Sequence, residues 1–377
     1  MTINIENLQK TSPIWYRHAG SEGDVILGVM GRLVRNLRGH AFPGWSTAEG
    51  RRTVAEQLLQ AIQKCPGFKS TLHAEMSELD YGMRRALLER RQISPCMAAR
   101  RDGCHLIINK RQDTVVMINE EEHLVIHNFY EKPDFTGVIE RLYRLPDMLS
   151  DDFGIEFATH PRHGYLTSLP GEAGEGIQLY ATLHLPALTL SNIMPQVTRA
   201  VDKLQLNLAP LYPQFGEECG NTYVLYTAPI IHGALEEMSN HLTNVMMRLA
   251  EREKQVRERL LALHNQGDCF LADRINRCYG MLRYACAIPM PEWLEAISML
   301  RLGIHCGFIE PKEGTTEQLL ADLAEQPVLG GEFATGMPIP ERTHPRQATP
   351  PEKARSQSIQ RILSNINLLT APVAAHH

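Results

Sequence analysis

The stretch from Ala234 to His264 constrains the fold most. Leu235, Met238, Leu242, Val245, Leu249, Val256, Leu260 and Leu263 recur at steps of three and four, or their sum, over about eight helical turns. Within it, EREKQVRER places Glu253 and Arg257 at the i,i+4 spacing that favours a helix. So long a helix excludes an all-β protein and needs another layer over its apolar stripe. A sheet is the expected layer, ahead of a coiled coil. Its strands are legible upstream as His105–Ile108, Thr114–Asn119 and His123–His127, with turn polarity at Asn109–Lys110 and Gln112–Asp113. Gly164–Leu169 and Gln178–Leu185 read as further strands. Helical spacing is expected over 48–64, 75–92, Asp134–Leu149 and 196–208. After residue 265 the chain reads as helical to about Gly307. The six prolines of 327–351 read as a linker. A short amphipathic helix from Glu352 to about Leu369 follows, with Ile359, Ile362, Leu363 and Ile366 on one side. Strands and helices interleave irregularly, which predicts α+β rather than a doubly wound parallel sheet.

At 377 residues and 43% hydrophobic, the chain is long enough for two domains with a substantial core. A net charge of −5 gives no pull toward nucleic acid or an anionic membrane. The eight cysteines contain no CxxC pair, so free thiols in a reducing compartment are expected. MTINIENLQK lacks the basic and apolar regions of a signal peptide. The longest uncharged run, Ile177 to Thr198, is broken by Pro186 and Pro195 and does not read as a membrane span. The expectation is a cytoplasmic protein with no nucleic-acid or membrane partner.

Common nucleotide and hydrolase motifs are missing: GxxxxGK[ST], GxGxxG, GxSxG and HExxH do not occur in usable contexts. His160 and His163 flank Pro161 in an expected loop, and no metal is assigned to them or elsewhere. Glu120, Glu121 and Glu122 are consecutive carboxylates between apolar strand segments. Taken alone they read as a solvated turn, with a guanidinium- or ammonium-holding cluster as the functional alternative. Gly171, Gly174 and Gly176 read as a flexible loop, or as a place where backbone N–H groups approach a phosphate.

Taken in order, these segments resemble the ATP:guanido phosphotransferase (phosphagen kinase) family, and within it the bacterial protein-arginine kinases. WYRHAGSEGDVILGVMGRLVRNL (15–37) is similar to the family's opening motif, and SELDYGMRRALLERRQISP (77–95) to its next helix and turn. NEEEHL (119–124) resembles the NEEDHL signature. GYLTSLPGEAGEG (164–176) with ATLHLPAL (181–188) matches the frame of the cysteine loop, and GEECGNTY (216–223) the Gly-Asn segment. MLRLGIHCGFI (299–309) and the 352–363 helix resemble the C-terminal domain of the bacterial branch. The resemblance implies a large antiparallel sheet flanked by helices over residues 1–265, then a helical C-terminal domain over 266–377.

The resemblance also implies where the chemistry should lie, and there the chain departs. The family clamps ATP phosphates around magnesium with arginines and positions the guanidinium for in-line transfer. Of the expected clamps, Arg32 is present, while Met30, Val125, Gln178 and Ala209 stand at four others. Leu169 replaces the reactive cysteine and Gln214 the loop glutamate. Glu121 matches the carboxylate that orients the substrate nitrogen, vestigial if the chemistry is gone. Gly174 and Gly176 remain as phosphate-loop remnants. Each hydrogen bond to a charged group contributes about 1.5–3 kcal/mol, so four lost clamps forfeit roughly 6–12 kcal/mol. That corresponds to roughly four to eight decades in rate.

The expectation is a pseudokinase that acts by binding protein, or phosphoarginine, with no cofactor. Its Arg355 is a candidate phosphoarginine ligand, with Arg361 a second cation on the same helix. Expected partners are an active paralogue, Clp-type protease machinery or a second copy of the chain. The alternative is an active Mg-ATP-dependent protein-arginine or guanidino kinase with a rearranged nucleotide site, in which Arg91 or Lys110 supplies missing charge.

Overall fold

The computed structural model describes residues 24–68, 71–80, 83–84, 87–88, 90–100, 102–130, 132–213, 219–316, 318–320, 323 and 348–369. The beginning of the Trp15–Leu37 motif, Gln214 and most of the 327–351 segment lie outside these residues.

The elements run β1 (Ile26–Arg35), α1 (Ala48–Ile62), β2 (Leu72–Glu75), α2 (Pro95–Ala99), β3 (His105–Ile108), β4 (Thr114–Ile118), β5 (Leu124–Tyr130) and α3 (Phe135–Asp151). A short ribbon, β6 (Thr159–His160) and β7 (Gly164–Tyr165), leads to β8 (Ile177–His184), α4 (Pro186–Leu190), α5 (Met194–Lys203), β9 (Leu206–Pro210) and β10 (Thr222–Thr227). Then come α6 (Leu235–Asn265), α7 (Phe270–Tyr284), α8 (Met290–His305), β11 (Ile309–Pro311), α9 (Pro350–Leu363) and β12 (Ile366–Leu368). One eight-stranded sheet has the order β2-β3-β4-β5-β1-β8-β10-β9. Strands β2 through β5 and β1 pair antiparallel. The class is α+β, as the interleaved pattern predicts.

Differences from the sequence reading have local causes. Residues 75–78 leave the expected 75–92 helix: β2 pairs with β3 and a single 3₁₀ turn follows, so sheet pairing overrides the helical spacing of Met76 and Leu79. The expected 196–208 helix begins at Met194 and stops at Lys203, and its last residues form β9 instead. Gln205, at φ +58°, makes the turn between them. The expected strand at 164–169 shrinks to two residues. The last helix ends at Leu363, and Ile366–Leu368 pairs with β11. Helix α3 follows its sequence closely. Asp134 caps it by accepting from the Thr136 and Gly137 N–H groups, and Val138, Leu142, Leu145 and Leu149 face inward.

Gly31 on β1 lets α3 sit close to the sheet, since a Cβ there would lie 2.4 Å from Leu142 Cδ1 and 2.6 Å from Val138 Cγ1. Met30 and Arg32 alternate with Gly31 and therefore point to the other face.

The chain divides into two compact units. One comprises Gly28–Tyr180 and Tyr226–Thr243; the other comprises 24–27, Ala181–Leu225 and 244–369 among the described residues. The second unit has its own core, built around Trp293, Leu300, Ile275, Phe308, Ile359 and Leu363. Inside it, Glu253 and Arg257 of α6 are buried rather than lying on a solvated face. Arg257 donates to Asp24, while Glu253 accepts from the N–H groups of Ala187 (2.8 Å) and Leu188 (3.0 Å) at the start of α4. Burial pushes the Glu253 carboxyl up to about 7 against the pull of Arg257. None of the eight cysteines is paired. No helix among the described residues is long and apolar enough to cross a membrane.

Candidate functional site

In the first unit a cavity of about 550 Å³ opens on the sheet face opposite α3. Strand alternation builds its floor: Met30 and Arg32 from β1, His127 from β5, Gln178 and Tyr180 from β8. Arg32 and His127 are direct cross-strand partners. Arg91, Ser94, Cys96, Glu120, Glu121 and Glu172 add polar and charged groups to the lining.

The carboxylate turn is ordered by its own hydrogen bonds. Asn119 adopts φ +58°, and its amide donates to Arg51 O (2.7 Å) and Gly103 O (2.8 Å). Glu122 is buried and accepts from Asn36 Nδ2 (2.5 Å), Ser168 N (2.8 Å) and Ser168 Oγ (2.9 Å). Burial still raises its pKa, and those hydrogen bonds oppose the rise. His123 accepts from Leu37 N at Nδ1 (3.1 Å), its Nε2 meets Ala41 O (3.0 Å), and burial lowers its pKa to about 4. Glu120 is buried as well, and accepts from Ser94 Oγ and from the Glu121 N–H (3.1 Å). Only Glu121 of the three is exposed. A solvated turn therefore describes one glutamate and misses two, which hold the turn shut.

Arg32 lies 3.8 Å from Glu120 Oε2 and donates to Gln178 Oε1 at 3.4 Å. Where the resemblance expects an arginine, Gln178 offers an acceptor to the surviving guanidinium. Burial, then Arg32 and Arg91, hold His127 down to about 3, so its ring adds no positive charge near neutral pH. Among the described residues, two arginines face three glutamates in this lining.

Of the positions expected from sequence, the cavity brings together Met30, Arg32, Arg91, Glu120, Glu121 and Gln178, and Lys110 does not line it. Val125 lies one pleat along β5 from His127, fully buried opposite Val34 and Met117. Leu169 is 58% exposed and does not line the cavity. Nor do Gly174 and Gly176. The Gly174 N–H donates to Tyr165 O (3.2 Å), and a Cβ on Gly174 would lie 2.3 Å from Ile230 O. Gly176, at φ +63°, makes room for the Arg35 guanidinium, which donates to Glu175 O (2.9 Å) and stacks 3.3 Å over the Tyr165 ring. Ala209 belongs to β9 of the second unit, and Gln214 lies outside the described residues. Arg355 is buried on α9 and donates to Ile288 O (3.0 Å), whereas Arg361 is exposed. His160 and His163 stack at 4.8 Å in the β6–β7 ribbon. No group of three or more metal-ligating side chains occurs among the described residues. His127, Tyr180, Ser94, Cys96 and Glu172 were not singled out from sequence. For His127 and Tyr180 a signal existed: each sits two residues from a site position on a strand.

The family model for the ATP:guanido phosphotransferase C-terminal catalytic domain matches residues 53–256. The chain belongs to the ATP:guanido phosphotransferase family. This phosphotransferase homologue also matches the model of the protein-arginine kinase McsB C-terminal domain over residues 268–327. It is 30% identical to the protein-arginine kinase of Halothermothrix orenii, covering 80% of this chain and 85% of that one. It is also 30% identical to that of Moorella thermoacetica, covering 86% and 90%. The fold is similar to lombricine kinase, at a TM-score of 0.55 and 18% identity over 72% of this chain and 74% of the other. A duplicated taurocyamine kinase of Schistosoma mansoni aligns with a TM-score of 0.53 and 19% identity over 75% of this chain and 41% of that one.

Proposed function

We propose that this guanido-phosphotransferase homologue binds proteins and transfers no phosphoryl group. The observation that carries the reading is the state of Arg32. It is the one phosphate clamp kept in the cavity, and it is turned onto Glu120 and Gln178. Met30 beside it offers no charge, and among the described residues the two arginines of the lining face three glutamates. A triphosphate needs the opposite balance, because phosphoryl transfer relies on cations placed around the developing charge. What remains is the carboxylate end, which suits the guanidinium of a partner protein's arginine better than a nucleotide or a phosphoarginine.

The test is calorimetric titration of the full chain with Mg-ATP, followed by incubation with γ-labelled ATP and an arginine-rich protein. The expectation is no binding at millimolar nucleotide and no acid-labile label on the protein. Micromolar Mg-ATP affinity or label on arginine would overturn it. The second reading is an active protein-arginine kinase with a rearranged site, favoured by Arg91, which lines the same cavity as Arg32. Under that reading Arg91→Gln would abolish labelling.

A further inference from the structure

On the other face of the same sheet, beneath α3, lies a second cavity of about 310 Å³. Asn128 and Ile126 line it, alternating on β5 with the His127 of the first cavity. Its charge has the opposite character. Arg111 comes from the β3–β4 turn, and Arg141 and Arg144 from one face of α3; among the described residues Asp113 is the only carboxylate in the lining. Asp113 is buried, and four groups fix it. Its Oδ1 accepts from Asn109 Nδ2 (2.5 Å) and Thr114 Oγ1 (3.2 Å), and its Oδ2 faces Arg111 Nε (2.9 Å) and Arg141 Nη1 (3.5 Å). Arg141 also stacks 4.4 Å over the Tyr130 ring.

One carboxylate therefore orients two guanidinium groups and, among the described residues of the lining, leaves two of the three positive charges unbalanced. A guanidinium carries five N–H donors in a flat fork, so arginines held in this way keep donors for an incoming anion. Two uncompensated charges match a dianion better than a carboxylate. Phe68, Leu145 and Met148 supply an apolar wall beside the charged end. We propose that this cavity binds a small phosphate monoester, its phosphoryl oxygens on Arg111, Arg141 and Arg144 and its organic part against Phe68, Leu145 and Met148. The site is separate from the first cavity and does not depend on the reading given for it.

The test uses phenyl phosphate as probe, titrated by calorimetry against the full chain, its Arg144→Gln variant and its Arg32→Gln variant. Arg144 is exposed on α3, and an unchanged unfolding midpoint confirms that its variant folds. Phenyl phosphate is expected to bind more tightly than inorganic phosphate. Arg144→Gln should weaken it by roughly tenfold or more, as expected for one charge-assisted hydrogen bond. Arg32→Gln should leave it unchanged. Four results overturn the proposal: no binding at millimolar phenyl phosphate; unchanged affinity in Arg144→Gln; loss in Arg32→Gln, which places the anion in the first cavity; or inorganic phosphate and sulfate binding equally well, which means an adventitious ion only.

Discussion

At the scale of single residues, the first cavity turns on which side chains strand alternation sends into it. Arg32 points into the cavity because β1 alternates, and it would do so with an arginine or a glutamine at 178. The glutamine changes its partner. Glu121 is the exposed carboxylate of the turn and is free to meet a guest, whereas Glu120 and Glu122 are occupied in holding the turn. Glu121→Gln should weaken binding of an arginine-bearing peptide by roughly tenfold or more, the loss of one hydrogen bond to a charged group. Equal affinities for the two proteins would remove Glu121 from the reading. Gly174→Ala should destabilise the fold by about 1–3 kcal/mol in urea titrations, because its Cβ meets the backbone oxygen of Ile230, which cannot rotate away. No loss of stability would show that the backbone around Ile230 can shift to admit the added Cβ.

At the scale of elements, helices here are legible where caps and spacing agree. Helix α3 is the clear case: Asp134 sits at its start and the apolar stripe runs from Phe135 to Leu149. Asp134→Ala removes the acceptor for two N–H groups and should cost about 1 kcal/mol of stability, read from the urea midpoint. A midpoint within error of the parent would mean that water or a neighbour replaces the cap. Helix α6 was equally legible in extent, but its surroundings were not. The i,i+4 spacing of Glu253 and Arg257 is the same on a wet or a buried face. Asp24, which lies far away in sequence, and the α4 N–H groups decide that the pair is buried. Strand β2 shows the reverse limit. Met76, Leu79, Met83 and Leu87 carry helical spacing, yet pairing with β3 claims the residues just before them.

At the scale of the whole molecule, buried neutral histidines contribute to the expected acid response. Burial holds His123 and His305 down to about 4 and His127 to about 3, from an ordinary value of 6.5. With folded values depressed, the unfolded chain takes up protons first, so stability is lost as pH falls from 6.5 toward 4. For His123 the lowering from 6.5 to about 4 amounts to roughly 3 kcal/mol. Glu253 acts oppositely: with its carboxyl raised from 4.5 to about 7, its contribution is lost as pH rises through that window. Urea midpoints should therefore decline below pH 6.5, and His123→Gln should flatten the decline. An identical slope in the variant would show that His123 is not among the groups responsible.

The fold class, the family and the longest helices follow from the sequence, because spacing and residue type are local and survive any packing. Which charges are covered does not. Glu122 meets Asn36 and Ser168, Arg35 lies over Tyr165, and Arg355 reaches Ile288, contacts separated by tens of residues. Arg355 and Arg361 share one helix, yet only the first is buried. Burial sets the local dielectric and the available partners, and through them whether a charged side chain serves as a ligand or as part of the framework. That choice is made by the tertiary structure alone.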